Sequence, residues 1–280
     1  MPLSLFSSAL SRQFAQMGSR IVERHRRCEG WWAPHLKNTA DFISQHLPSG
    51  ARVAVLGAGR LLDIDAASLI SRNDEVHLFD ADESCLRAWR SGLGSDLRRR
   101  IVPRIEDVTC CLSDWQALVR DCKSVASLER QLAALRAPLP AWASEEFDAI
   151  VSLNLLGQIP LYWRDVVRAR LAGLSEPQEE ALAASMGELQ RAHLEGLARS
   201  TADRVIVVTD SEYYFYEAST VEWRVEAALF GSARTLLQSP GVEGRAVIGK
   251  DTWLWHLAPQ FIEHNDEGEI HKVEAIAWGR

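Results

Sequence analysis

The chain has 280 residues, 47% hydrophobic and 25% charged, with a formal net charge of −7. That length buries a full core. The acidic balance excludes a protein that grips nucleic-acid phosphates over a broad basic face, since the basic runs at 24–27 and 98–100 are short and read as solvated helix faces.

Residues 3–27 set Leu3, Phe6, Leu10, Phe14, Met17 and Ile21 at helical spacing and predict one or two helices. Gly30 and Pro34 predict a break over 29–38 that carries Trp31, Trp32, His35 and Asn38, with a helix resuming over 39–47. A β-branched apolar run at 52–56 predicts the first strand, which stops at Gly57-Ala58-Gly59. A helical pattern follows through Leu61, Leu62, Ala66, Ala67, Leu69 and Ile70. Strand, glycine turn and helix let a backbone approach a ligand closely and aim free helix N–H groups at it. The second strand, 75–79, ends in Asp80. A carboxylate there accepts from both hydroxyls of a nucleotide-like ribose.

A helix over 84–91 and a short strand over 101–105 lead to Glu106-Asp107-Val108. One long helical stretch fills 112–137, and a fourth strand, 147–153, runs into Asn154-Leu155. Helices cover 161–171 and 177–200, and a fifth strand, 204–209, ends at Asp210. An aromatic cluster at 213–216 precedes a helix over 221–230. Asp210 and that cluster form either one wall of a substrate pocket or packing at the sheet edge, while His193 and His256 read as packing histidines. The last strands, 252–257 and 272–278, are joined by a polar loop, 259–269, without a helix. Such a pair is expected to run antiparallel.

Alternating strands and helices predict an α/β fold. It is a doubly wound, mostly parallel seven-stranded sheet with an antiparallel C-terminal strand, binding its ligand at the carboxyl ends of the strands. Residues 1–48 are expected as an N-terminal helical cap and 49–280 as the Rossmann-like domain, with a helical insertion at about 112–140. Five cysteines without a C-x-x-C pair or zinc spacing predict no metal site. Their odd number, and a start with no charged region before its apolar residues, point to a reducing, cytoplasmic setting. No apolar run reaches membrane-spanning length, so neither membrane nor nucleic acid is expected as a partner.

Two cofactors compete for the glycine turn. A nicotinamide or flavin site wants G-x-G-x-x-G and parallel strands to the end, but the third position here is Leu62. From about Thr39 onward the chain resembles the class I S-adenosylmethionine-dependent methyltransferases. The resemblance is carried in order by Gly57-Ala58-Gly59, Asp80, Glu106-Asp107-Val108, Asn154-Leu155 and the closing strand pair. It implies that S-adenosylmethionine is bound by Gly57, Ala58 and Gly59 along its methionine part and by Asp80, with Ala81 beside it, at the ribose. It further implies Asp107 and Val108 at the adenine, and Asn154 and Leu155 between cofactor and acceptor. Val55 stands where the family often has an acid and Leu61 where it often has a glycine; Asp63, Asp65 or the N-terminal segment are the candidates to replace the acid.

His35 joins the cofactor-binding set, because its segment is placed to fold over that end of the sheet. Tryptophans there either cover a sulfonium cation or pack the N-terminal helices. The expected function is methyl transfer to a small molecule or a protein side chain, with no catalytic residue assigned. The alternatives are a catalytically silent S-adenosylmethionine-binding or scaffold protein of the same fold, and then an NAD(P)-binding oxidoreductase.

Overall fold

Runs that are apolar on both faces make the parallel half of the sheet. In the computed structural model, which describes residues 8–280 except Gly92, Val221, Pro240 and Asn265, these are β1 (Arg52–Leu56), β2 (Glu75–Asp80), β3 (Ile101–Ile105), β4 (Ala149–Leu153) and the first half of β5 (Arg204–Glu217). They lie parallel in the order β3-β2-β1-β4-β5. The chain then adds β6 (Glu222–Ala227), β7 (Gly241–Val242), β8 (Arg245–Ala258) and β9 (Gly268–Gly279). β9 inserts antiparallel between β5 and β8, as expected for strands joined without a crossover helix. The sheet thus has the seven expected strands, with β6 on β5 and the short β7 on β8 as additions.

Alternation along the strands splits the core into two layers. Val53, Val55, Val151, Ile206 and Val273 pack under α2 (Glu29–His46), α3 (Ala66–Arg72) and α4 (Cys85–Arg90). Ala54, Leu56, Ile150, Val205 and Ile276 face Leu194 and Leu197 of α9 (Glu176–Arg199) and Leu237 of α10 (Ser232–Gln238). α5 (Ser95–Arg98) is a single turn ahead of β3. A third cluster joins α6 (Leu112–Asp121), α7 (Val125–Ala134), α8 (Ile159–Arg170) and the start of α9 around Trp115, Leu128, Trp163 and Met186. Each aliphatic side chain so buried contributes about 1.5–3 kcal/mol. Among the described residues no helix is long and apolar enough to cross a membrane.

Four expectations are corrected. The segment 29–38 is not a break: α2 runs through Pro34, and the chain turns instead at Cys28, between α2 and α1 (Ser8–Arg27). Trp32, His35, Thr39, Phe42 and Ile43 form a helical stripe against β8 and β9, and that burial outweighs the one backbone bond Pro34 forgoes. The helix after the glycine turn begins only at Ala66, where Asp65 caps it by accepting from Ser68 N–H at 3.0 Å. The stretch 112–137 is two helices, because Cys122 is extended and Ser124 caps α7 by accepting from Ser127 N–H at 3.2 Å. Finally, 221–230 holds β6 rather than a helix. Trp223 stacks on Tyr216 at 5.3 Å and Arg224 sits over Phe215 at 4.3 Å, pairs that only an extended strand beside β5 makes.

Candidate functional site

The cleft forms where the sheet order reverses, between the ends of β1 and β4. Gly57 takes φ 75° there, and a Cβ on it would lie 3.0 Å from both Leu153 O and Leu155 Cβ. Only glycine fits. The N–H groups of Gly57 and Ala58 both donate to Phe79 O at 3.0 Å, and Gly59 N–H donates to Asp80 Oδ2 at 2.8 Å. Asp80 Oδ1 accepts from Asp82 N–H at 2.8 Å. The acid at the tip of β2 therefore ties down the glycine loop while lining the cavity beside it. Burial raises its carboxyl above the ordinary range, against the pull of those N–H groups. Leu61 adopts φ 58°, a left-handed conformation that a glycine would take without cost.

A cavity of about 520 Å³ opens from this loop, within the usual range of small-ligand sites. Gly57, Ala58, Gly59, Asp80, Ala81, Asp107, Val108, Asn154 and Leu155 all line it. Asp107 works locally: it accepts from Thr109 N–H at 2.9 Å and from Leu112 N–H at 2.9 Å, fixing the start of α6. Asn154 has φ 47° and is buried, and its Oδ1 has no partner. Of the candidates for the missing acid, Asp63 lines the cavity while Asp65 caps α3.

His35 does not reach the cavity and is fully buried behind it. Trp253 Nε1 donates to its Nδ1 at 3.0 Å, and its Nε2 lies 3.3 Å from Asn154 Nδ2 and 3.4 Å from Asp63 Oδ1. The ring stacks on Trp255 at 4.1 Å. Its place among the ligand-contacting residues is corrected accordingly: His35 supports Asn154 from behind. The cover over the cleft is supplied by α1 instead, through Phe14, Met17, Gly18, Ile21 and Arg24. Trp32 lies at the cavity edge with its Nε1 donating to Leu257 O at 2.9 Å, and Trp31 is 47% exposed beside His256.

The far wall is built by register. Tyr213, His271 and Trp255 fall opposite one another on β5, β9 and β8, and Phe215 falls opposite Glu269. A bulge between Asp210 and Glu212 lets Asp210 and Tyr213 face the same side. His271 Nε2 bonds Glu269 Oε1 at 2.9 Å, and its Nδ1 lies 3.1 Å from Asp210 Oδ2. Burial alone would lower the His271 pKa, but the two carboxylates outweigh it and raise it to about 9. Burial acts to raise Glu269, yet His271 holds it below the ordinary range. Of this trio, sequence reasoning placed only Asp210. Glu269 and His271 carried a faint signal, alternate positions just ahead of the final strand, Glu269 at the end of the stretch read as loop and His271 between it and the strand. His193 is buried away from the cleft, bonding Ser152 Oγ at 2.9 Å.

The cavity lining is acidic. Asp63, Asp80, Asp82, Glu106, Asp107, Asp210, Glu226 and Glu269 line it against Arg24, Arg60, Arg164 and His271; each arginine has a carboxylate partner, and Glu106 and Glu226 pair with Arg104 and Arg224.

No family model matches the chain, and no curated protein matches it. Among solved structures it is similar to the glycopeptide N-methyltransferase MtfA complexed with sinefungin, at 14% identity over 86% of this chain and 93% of that one, TM-score 0.37. It is also similar to the methyltransferase domain of bacterial CtHen1-CN, at 12% identity over 82% and 91%, TM-score 0.31. A third is precorrin 8W decarboxylase from Methanobacterium thermoautotrophicum, at 14% identity over 85% and 87%, TM-score 0.34. These overlays are loose, and the strand order itself identifies the fold: a doubly wound sheet closed by an antiparallel pair.

Proposed function

We propose, for a chain with the class I methyltransferase fold, that it is an S-adenosylmethionine-dependent methyltransferase acting on a small molecule or a protein side chain. The observation that carries this is the charge of the cleft. Eight carboxylates, two of them paired with Arg104 and Arg224, against three arginines and His271 leave an acidic lining that suits a cofactor whose sulfonium and ammonium outnumber its carboxylate, and disfavours the two phosphates of a dinucleotide. The residues present fit that cofactor: the Gly57 turn leaves no side chain in the loop beside Leu155, and Asp80 lines the cavity as a carboxylate at the tip of β2.

Bound there, the cofactor supplies an electrophilic methyl group. The chain's own residues position and shield. The loop at Gly57–Gly59 would hold the methionine part, Asp80 would accept from the ribose hydroxyls, Asp107 and Val108 would hold the adenine, and Asn154 and Leu155 would lie between cofactor and acceptor. Asp63 is the cleft-facing acid available to the cofactor's amino group. α1 acts as the cap and excludes water through Phe14, Met17 and Ile21, which in-line displacement needs more than it needs a base. Calorimetric titration of the full chain with S-adenosylmethionine, S-adenosylhomocysteine and NAD tests the reading. The first two are expected to bind; binding of NAD alone overturns it.

A further inference from the structure

We propose that Glu269, oriented by His271 and Asp210, is the acceptor-binding group of this cleft, and that the acceptor is a primary or secondary amine on an apolar body, entering as an ammonium ion. The inference rests on the methyltransferase reading for the transfer itself, but the amine subsite stands on its own geometry.

Asp210 is 0% exposed, and neither of its oxygens makes a hydrogen bond. Its one cationic neighbour, His271, is shared with Glu269. Of the other charges near this wall, Arg24 shares Glu263 with Arg27 and also acts on Glu269, Arg164 lies beside Asp165, and Glu226 beside Arg224. Within the trio two carboxylates share one imidazole, so the negative charge on Glu269 can take a further cationic partner. Glu269 is where that charge is within reach. Its side chain is 23% exposed, it lines the cavity, and among the described residues no hydrogen bond reaches its second oxygen. Phe215 falls opposite it on β5, Tyr213 and Trp255 pack on the His271 ring, and Leu257 lines the same cavity, giving aromatic faces for a cation and apolar surface for its body. His271 is no base here, because both of its nitrogens already face carboxylates. It is a positioning residue.

For the transfer, the ammonium first gives one proton through Glu269 to water. The nitrogen lone pair then forms the N–CH₃ bond as the S–CH₃ bond breaks, and that bond's electron pair stays on sulfur. The charge lost at sulfur reappears on the methylated nitrogen, beside Glu269.

Benzylamine and benzyl alcohol, alike in shape and different in charge, are the probes. In an NMR titration of the full chain that follows the His271 imidazole signals, benzylamine is expected to bind about tenfold more tightly than the alcohol. Glu269→Gln is expected to remove most of that preference. Asp210→Asn, which loosens His271, is expected to reduce it and to change the His271 titration. Should Asp210→Asn fail to fold, the wild-type pair and Glu269→Gln still decide. Equal affinity for the two probes, no benzylamine binding up to about 20 mM, or an unchanged preference in Glu269→Gln overturns the proposal. Calorimetry with S-adenosylhomocysteine on the same wild-type sample separates the two readings: its failure, with the amine preference intact, overturns the methyltransferase and leaves the amine subsite.

Discussion

Asp80 is the residue at which loop and cleft meet, since one carboxylate both accepts from Gly59 N–H and lines the cavity. Asp80→Asn halves its acceptor capacity toward a ribose and sets an amide N–H against a backbone donor. S-adenosylhomocysteine affinity measured by calorimetry is expected to fall by about 10–100-fold, the range for losing one or two charge-assisted hydrogen bonds. Gly57 is the opposite kind of residue, needed for what it lacks. Gly57→Ala would place a Cβ 3.0 Å from a backbone oxygen at φ 75°. Thermal unfolding should show a loss of about 2–4 kcal/mol; an unchanged melting temperature would refute the close approach. Leu61 shows that the turn's shape survives without its usual residue. Its left-handed backbone costs about 1–2 kcal/mol, and its side chain packs against the core beneath the loop in return.

Among the elements, α1 is the one whose position depends most on side-chain ties at a distance. Arg24 Nε donates to Glu263 Oε1 at 3.0 Å, and Arg27 adds bonds to both Glu263 oxygens at 2.8 Å. These bonds hold the Glu263 carboxyl down to about 2 from its ordinary 4.5, with Arg27 contributing most. A depressed carboxylate stabilises fully above its unfolded value and loses that contribution as pH falls through the folded one. The hold on α1 is therefore expected to weaken between about pH 4.5 and about pH 2. At neutral pH, Glu263→Gln should speed amide exchange in α1 several-fold while leaving the β1–β4 amides protected; equal exchange in α1 would show that the clamp is idle. The β5 bulge is the second decisive element feature. Without the extra residue between Asp210 and Glu212, Tyr213 would turn away from the cleft.

For the whole molecule, two buried histidines bracket the pH range of stability. Burial lowers the His193 pKa from 6.5 to about 3, so the folded state loses ground as pH falls below 6.5. His271 behaves oppositely. Raised to about 9, it stabilises fully below 6.5, and that contribution is lost as pH rises through 9. Each limb has a limiting slope of about 1.4 kcal/mol per pH unit. Chemical-denaturation curves between roughly pH 4 and pH 9 should show His193→Gln flattening the acid limb and His271→Gln the alkaline one. If both variants keep both limbs, other groups carry the pH dependence.

The parallel half of the sheet was legible in the chain because its strands are buried on both faces, and such runs carry their own signal at short range. The glycine turn and Asp80 were legible for a similar reason: a left-handed backbone and a strand-end acid are local requirements that particular residue types meet. Only the tertiary structure decided the rest. Pro34 sits inside α2 because β8 and β9 reward the stripe from Trp32 to Ile43. Residues 222–227 form a strand because β5 extends far enough to pair with them. Asp210, Glu269 and His271 are each unremarkable in sequence, and they meet only through the register of β5 against β9. That register is a long-range pairing which no local pattern encodes, and the cleft's far wall is made of it.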